Sequence, residues 1–178
     1  MTWRIAVTGS ECTGKTTLAR AIAERLHAPW VPEASRAYAE ARGGALTAAD
    51  VEPIARATRD ALQQAAVARP AILVADTDLV STVVYARAYY GDCPAWIVND
   101  ARAQLADLYL LCAPDLPWQP DGVRDRPAAS ERAAMHAAFV ETLRALGARI
   151  ALVQGSGEER TAHALQAVRD AAPAESIR

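Results

Sequence analysis

Apolar positions along the chain switch repeatedly between two patterns. Short continuous runs (IAV at 5–7, AILVA at 71–75, LYLLC at 108–112) alternate with stretches where apolar residues recur every three or four positions. Leu18, Ile22 and Leu26 make one such series, and Val51, Ile54, Thr58, Leu62 and Ala65 another. Unbroken runs suit strands buried on both faces; the 3–4 spacing marks helices packed by one face. The pattern predicts strands over 3–8, 30–33, 71–75, 108–112 and 149–153. It predicts helices over 15–27, 34–42, 79–90 and 94–106, with a long one running from a cap at Thr47 to Arg69-Pro70. Ser130 is expected to cap a further helix, with Met135, Phe139, Leu143 and Leu146 on one face and Gly147 closing it. Thr47–Asp50 resembles an N-cap with an acidic third position, and Ser156–Glu159 a capping box for the last helix. Alternating strands and helices predict an α/β three-layer sandwich around a parallel sheet, in one domain covering 1–178.

Residues 113–129 break the pattern. Four prolines and a glycine rule out a regular element there, and a loop that long inside a compact domain is usually functional. It reads as a lid over roughly 113–130, and the tail from Pro173 as frayed.

Composition narrows the partners. Hydrophobic residues make up 52% of the 178 positions, a figure inflated by alanine, since aromatics reach only 6%. The net charge of −2 gives no pull toward nucleic acid. No apolar run approaches the ~18–20 residues of a membrane span. Cys12, Cys93 and Cys112 lie far apart with no C-x-x-C spacing, which argues against zinc and against a disulfide framework. Met1-Thr2-Trp3-Arg4 leads directly into the first strand, so the expectation is a cytoplasmic protein acting on a small molecule, with no nucleic-acid or membrane partner.

The chemistry starts at Gly9-Ser10-Glu11-Cys12-Thr13-Gly14-Lys15-Thr16, which fits G-x-x-x-x-G-K-[ST] between a strand and a helix. Such a loop turns successive amides toward phosphate oxygens and adds the positive end of a helix dipole. The expected nucleotide contacts are Gly9, Glu11, Cys12, Thr13, Gly14, Lys15, Thr16 and Thr17, with Lys15 on the β/γ-phosphates of ATP and the Thr16 hydroxyl on Mg²⁺. Of the 19 basic residues, Lys15 alone is lysine; a compact point charge is kept where a phosphate must be met.

Carboxylates complete the set. Asp76 ends a buried strand and is expected to position Mg²⁺ with Thr16. Asp78, two residues on, shares its face if the strand persists; the alternative is a helix N-cap. Glu33, after the second strand, is placed to take a proton from an attacking hydroxyl, or else is a helix-start acid. Arg36 would pair with it or hold an anion. Arg124 and Arg126 on the lid and Arg132 beyond it would neutralise the transferring phosphoryl group, with Arg126 on the nucleotide side. Trp30, Tyr89 and Trp118 are candidates to stack on a substrate ring.

These landmarks resemble the ribosylnicotinamide (nicotinamide riboside) kinase domain of NadR-type proteins. The shared pieces are Gly9–Thr17, Glu33-x-x-Arg36, Asp76-Thr77-Asp78, the Tyr89/Gly91 pair, and the phrase Pro117-Trp118-x-x-Asp121-Gly122-x-Arg124 with Arg132 eight residues later. The lid phrase is the most specific. The resemblance implies phosphate transfer from ATP to the ribose 5′-hydroxyl of nicotinamide riboside, giving nicotinamide mononucleotide in NAD salvage. In this reading Glu33 is the base and Asp78 its substitute or a ribose anchor, and the five strands run in the order 2-3-1-4-5. Where the family often has Trp directly before the Glu, this chain has Pro32, with Trp30 two residues earlier; either ring stacking passes to Trp30 or Tyr89, or the substrate differs. The adenylyltransferase and helix-turn-helix modules of the fused proteins have no counterpart in the sequence, which reads as a kinase domain alone. A kinase for another nucleoside, or a nucleotide-driven switch with no small acceptor, would use the same loop.

Overall fold

The structure, a computed structural model, describes residues 2–43, 45–118 and 128–173. The elements in order are β1 (Trp3–Thr8), α1 (Lys15–Arg25), β2 (Trp30–Val31), α2 (Ala34–Arg42), a 3-10 turn (Ala48–Asp50) leading into α3 (Val51–Ala66), and β3 (Ile72–Asp76). Then come α4 (Leu79–Tyr90), α5 (Ala95–Ala103), β4 (Leu108–Cys112), α6 (Ala129–Ala145), β5 (Ile150–Val153) and α7 (Gly157–Ala171). The five strands form one parallel sheet in the expected order β2-β3-β1-β4-β5.

Strand β1 sits at the centre, and its alternation divides the core. Ile5 and Val7 face α1 and α7, packing with Leu18, Ile22, Leu165 and Val168. Ala6 faces the other way, with Tyr109 and Leu111 of β4, into a cluster built from α3, α4, α5 and α6 that includes Val80, Val83, Ile97 and Phe139. Both sides of the sheet are therefore covered along β3, β1 and β4, as their unbroken apolar runs require, whereas the edge strand β5 leaves Leu152 exposed. Because every strand points the same way, the segments leaving their C-terminal ends gather along one rim, where α/β sheets bind ligands. Among the described residues no helix is long and apolar enough to cross a membrane.

Several ends differ from expectation for local reasons. Strand β2 keeps only two residues, because Pro32 has no N–H to give the ladder and Glu33 already caps α2. Helix α1 stops at Arg25, two residues short of the expected end, and His27 leaves it with a left-handed φ of 49°. α6 begins one residue before Ser130, with Ala128 as N-cap. The Thr47–Asp50 box forms: the Asp50 carboxylate accepts from the Thr47 N–H (2.7 Å) and hydroxyl (2.8 Å). It caps a 3-10 turn, which then runs into α3. Ser156 is the N-cap of α7 but makes no side-chain capping bond.

Candidate active site

The turn leaving β1 is shaped by two glycines. Gly9 has φ 138°, and a Cβ there would stand 2.8 Å from the Cys112 carbonyl oxygen on β4. Gly14, at φ 74°, is the N-cap of α1 and offers no side chain to its first amides, which stay open to a ligand. Gly9→Ala must push the loop off β4, so it is expected to cost on the order of 1–3 kcal/mol, read from urea unfolding, and to weaken nucleotide binding. Gly91→Ala is the control for φ alone: its φ is 82°, and nothing lies within 4 Å of its Cβ position.

Inside the loop, the Ser10 carbonyl accepts from both Lys15 Nζ and the Thr13 hydroxyl, each at 2.8 Å. Lys15 is buried there, folded onto the loop's own carbonyl. Glu11 is buried too, and the Tyr89 hydroxyl donates to its Oε1 at 2.8 Å, tying the end of α4 to the loop. Cys12 takes a left-handed φ of 54°, and Thr17 points outward.

Register brings Asp76 to the loop, since Val7 of β1 pairs with it directly. The Thr16 hydroxyl donates to Asp76 Oδ2 at 2.5 Å. Oδ1 is buried with no hydrogen-bond partner among the described residues. Burial pushes this carboxyl above its ordinary range; the Thr16 hydrogen bond opposes the shift, the Glu33 charge adds to it, and Lys15 and Arg36 draw it back. A hydroxyl beside a carboxylate with one oxygen unused is the hard donor set that Mg²⁺ takes.

Beside this centre opens a cavity of about 430 Å³. Glu33 lines it as the N-cap of α2, buried and accepting from the Ser35 hydroxyl at 2.5 Å. The walls are Thr47, Val51 and Ile54 on one side and Thr77, Ser81, Tyr85, Tyr89 and Tyr90 on the other, with Glu131 of α6 at the edge. The Tyr85 and Tyr89 rings stack at 6.0 Å between centroids. Next to that wall the buried Asp50 accepts from the exposed Arg42 and from the Tyr38 hydroxyl (3.2 Å). Arg36 is exposed on the first turn of α2, and its charge reaches Asp76.

Some expected site residues lie elsewhere. Strand β3 ends at Asp76, and Thr77 turns left-handed at φ 70°, so Asp78 does not share the face of Asp76. It is the N-cap of α4: one oxygen accepts from the Val80 N–H at 3.0 Å, the other from the Tyr109 hydroxyl at 2.5 Å. Burial raises the Asp78 carboxyl, with the Tyr109 hydrogen bond opposing. The alternative N-cap reading holds, and Asp78 is outside the cavity lining. Trp30 pairs with Val74 and turns toward α1, where the Arg20 guanidinium covers its ring at 4.6 Å; it does not line the cavity. Trp118 is outside the lining as well, and Arg132 donates to the Leu116 carbonyl at 3.0 Å, holding the segment after β4 to α6. Arg124 and Arg126 lie outside the described residues.

Other residues were not singled out by the sequence. Glu131 could be found only once the start of α6 was known. Arg160, on the first turn of α7, is 3% exposed and bonded to the back of the phosphate loop. Its partner Asp115 would be raised by what burial it has, but the Arg160 hydrogen bond and the Gly155 amide hold it below the usual carboxylate range.

The AAA domain family matches residues 4–160. Among solved structures the chain is similar to a NadR protein in complex with NR, at TM-score 0.76 and 26% identity, covering 96% of this chain and 51% of that one. A NadR protein in complex with NAD and AMP-PNP follows at 0.72 and 25%, covering 96% and 49%. The chain thus spans about half the length of these NadR chains. Thymidylate kinase from Ehrlichia chaffeensis shares the fold at TM-score 0.69 and 13% identity, covering 95% and 98%. No curated protein matches the chain.

Proposed function

Because the chain belongs to the AAA domain family and its phosphate loop opens beside an acceptor-sized cavity, we propose that it is an ATP-dependent nucleoside kinase. Its acceptor in this reading is the ribose 5′-hydroxyl of nicotinamide riboside, and the product is nicotinamide mononucleotide. The observation that carries the choice of acceptor is the charge of the cavity. Its lining holds two carboxylates, Glu33 and Glu131, and three tyrosines, with no basic side chain among the described lining residues. Such a pocket favours a cationic ring, held by charge and by the π-faces of Tyr85, Tyr89 and Tyr90, and the nicotinamide of the riboside is a pyridinium. The likeness to a NadR protein in complex with NR supports the same choice.

The steps follow from the residues. The loop amides and Lys15 hold the β- and γ-phosphates, Lys15 leaving the Ser10 carbonyl for the ligand. Glu33, which lines the cavity and whose charge acts on Asp76, takes the proton as the 5′-oxygen bonds to the γ-phosphorus and the bond to the β-phosphate oxygen breaks. Thr16 and Asp76 would hold Mg²⁺, which when bound neutralises phosphate charge. Arg132, Arg124 and Arg126 belong to the lid side of this reading.

Incubating the protein with radiolabelled ATP and a nucleoside panel tests it. Nicotinamide riboside is expected to give labelled mononucleotide and, at ~100 times its dissociation constant, to add about 2.7 kcal/mol of stability. Product from thymidine but not from nicotinamide riboside would reassign the acceptor. ATP hydrolysis indifferent to every nucleoside would leave a nucleotide switch instead.

A further inference from the structure

Arg160 carries more contacts than any helix-face arginine needs. Its Nη2 donates to the Thr13 carbonyl at 3.0 Å and to the Ala113 carbonyl at 2.9 Å. Nη1 donates to Asp115 Oδ1 at 2.7 Å and to the Gly155 carbonyl. Asp115 Oδ2 in turn accepts from the Gly155 N–H at 2.8 Å. One buried guanidinium therefore joins the phosphate loop, the end of β4 and the turn between β5 and α7.

The contact with Thr13 has a directional consequence. In a planar trans peptide the C=O of one residue and the N–H of the next point in opposite directions. A donor that grips the Thr13 carbonyl therefore turns the Gly14 N–H to the side opposite itself. We propose that Arg160 is a positioning residue of the phosphate loop: it fixes the Thr13–Gly14 peptide so that the amide meets a nucleotide phosphate, and Asp115 holds the guanidinium in place for this. The inference rests on the phosphate-loop reading and adds to it a residue that never touches the nucleotide. A rigid fork is needed because four acceptors in different directions must be met at once; an ammonium at the same place reaches fewer of them.

Binding of AMP-PNP with Mg²⁺, measured by calorimetry, tests this on the wild-type chain and on Arg160→Met, Arg160→Lys, Asp115→Asn and Val168→Ala. Val168 is fully buried on the same helix and faces the α1 side of the core, so its variant supplies loss of stability without loss of the loop contact. Arg160→Met is expected to weaken AMP-PNP by ~10–100-fold and to raise KM for ATP with KM for the nucleoside unchanged. Arg160→Lys recovers part of the affinity, Asp115→Asn loses less than Arg160→Met, and Val168→Ala binds as the wild type does. Where Arg160→Met fails to fold, Arg160→Lys and Asp115→Asn carry the comparison. Equal affinity in the wild type and the Arg160 and Asp115 variants would overturn the positioning role alone, as would an equal loss in Val168→Ala. A wild-type chain that binds no AMP-PNP would overturn the phosphate-loop reading itself.

Discussion

Glu33→Gln is expected to lower kcat by ~10²–10⁴, the range for removing a general base, while ATP affinity stays near wild type. The side chain is well placed for proton transfer, since it is buried at the N-cap of α2, accepts from Ser35 and lines the cavity. Glutamine keeps the shape and the bond to Ser35 but cannot take a proton. Asp78 is committed to Val80 and Tyr109, Glu11 accepts from Tyr89, and Asp76 Oδ2 accepts from Thr16. A Glu33→Gln enzyme that keeps full kcat in steady-state assays would remove the base role and leave the γ-phosphate itself to take the proton.

Asp76→Asn is expected to move activity and stability in opposite directions. Losing the carboxylate removes the charged half of the proposed Mg²⁺ site, so kcat falls by ~10²-fold or more, in line with several kcal/mol of charge stabilisation from a bound metal. The ligand-free protein gains stability. Burial raises the carboxyl in the folded chain above its ordinary 3.8, so the native state holds the proton more tightly than the unfolded chain. Stability therefore falls as pH climbs from the unfolded value through the folded one. Asparagine has no proton to lose. The rise in Tm should be absent below the unfolded value, grow across that window and be complete above the folded one. A variant less stable than wild type at neutral pH, in scans without ligand, would mean that the carboxylate is held by more than Thr16.

What the sequence disclosed and what it hid divide along a physical line. The phosphate loop was legible because its own motif lies within nine consecutive positions that follow a strand and open a helix. The sheet order was legible too, from the likeness of those landmarks to a known kinase fold. Asp78 was misplaced because a single left-handed residue, Thr77, ends the strand, and no alternation of apolar residues announces it. Trp30 was misplaced because a two-residue strand has no pattern of its own; the pairing with Val74, whose side chain belongs to the α1 side, decides where the ring goes. Arg160 was invisible for another reason. Three of its acceptors are main-chain carbonyls, the one on the loop 147 positions distant, and a carbonyl carries no letter in the sequence.

The solitary lysine has a practical corollary. Acylating reagents that seek side-chain amines find a single ε-amine in this chain, at position 15, folded onto the Ser10 carbonyl. Peptide mapping after such labelling would report the occupancy of one pocket with no background from any other lysine. Modification there and loss of the phosphate grip would be the same event.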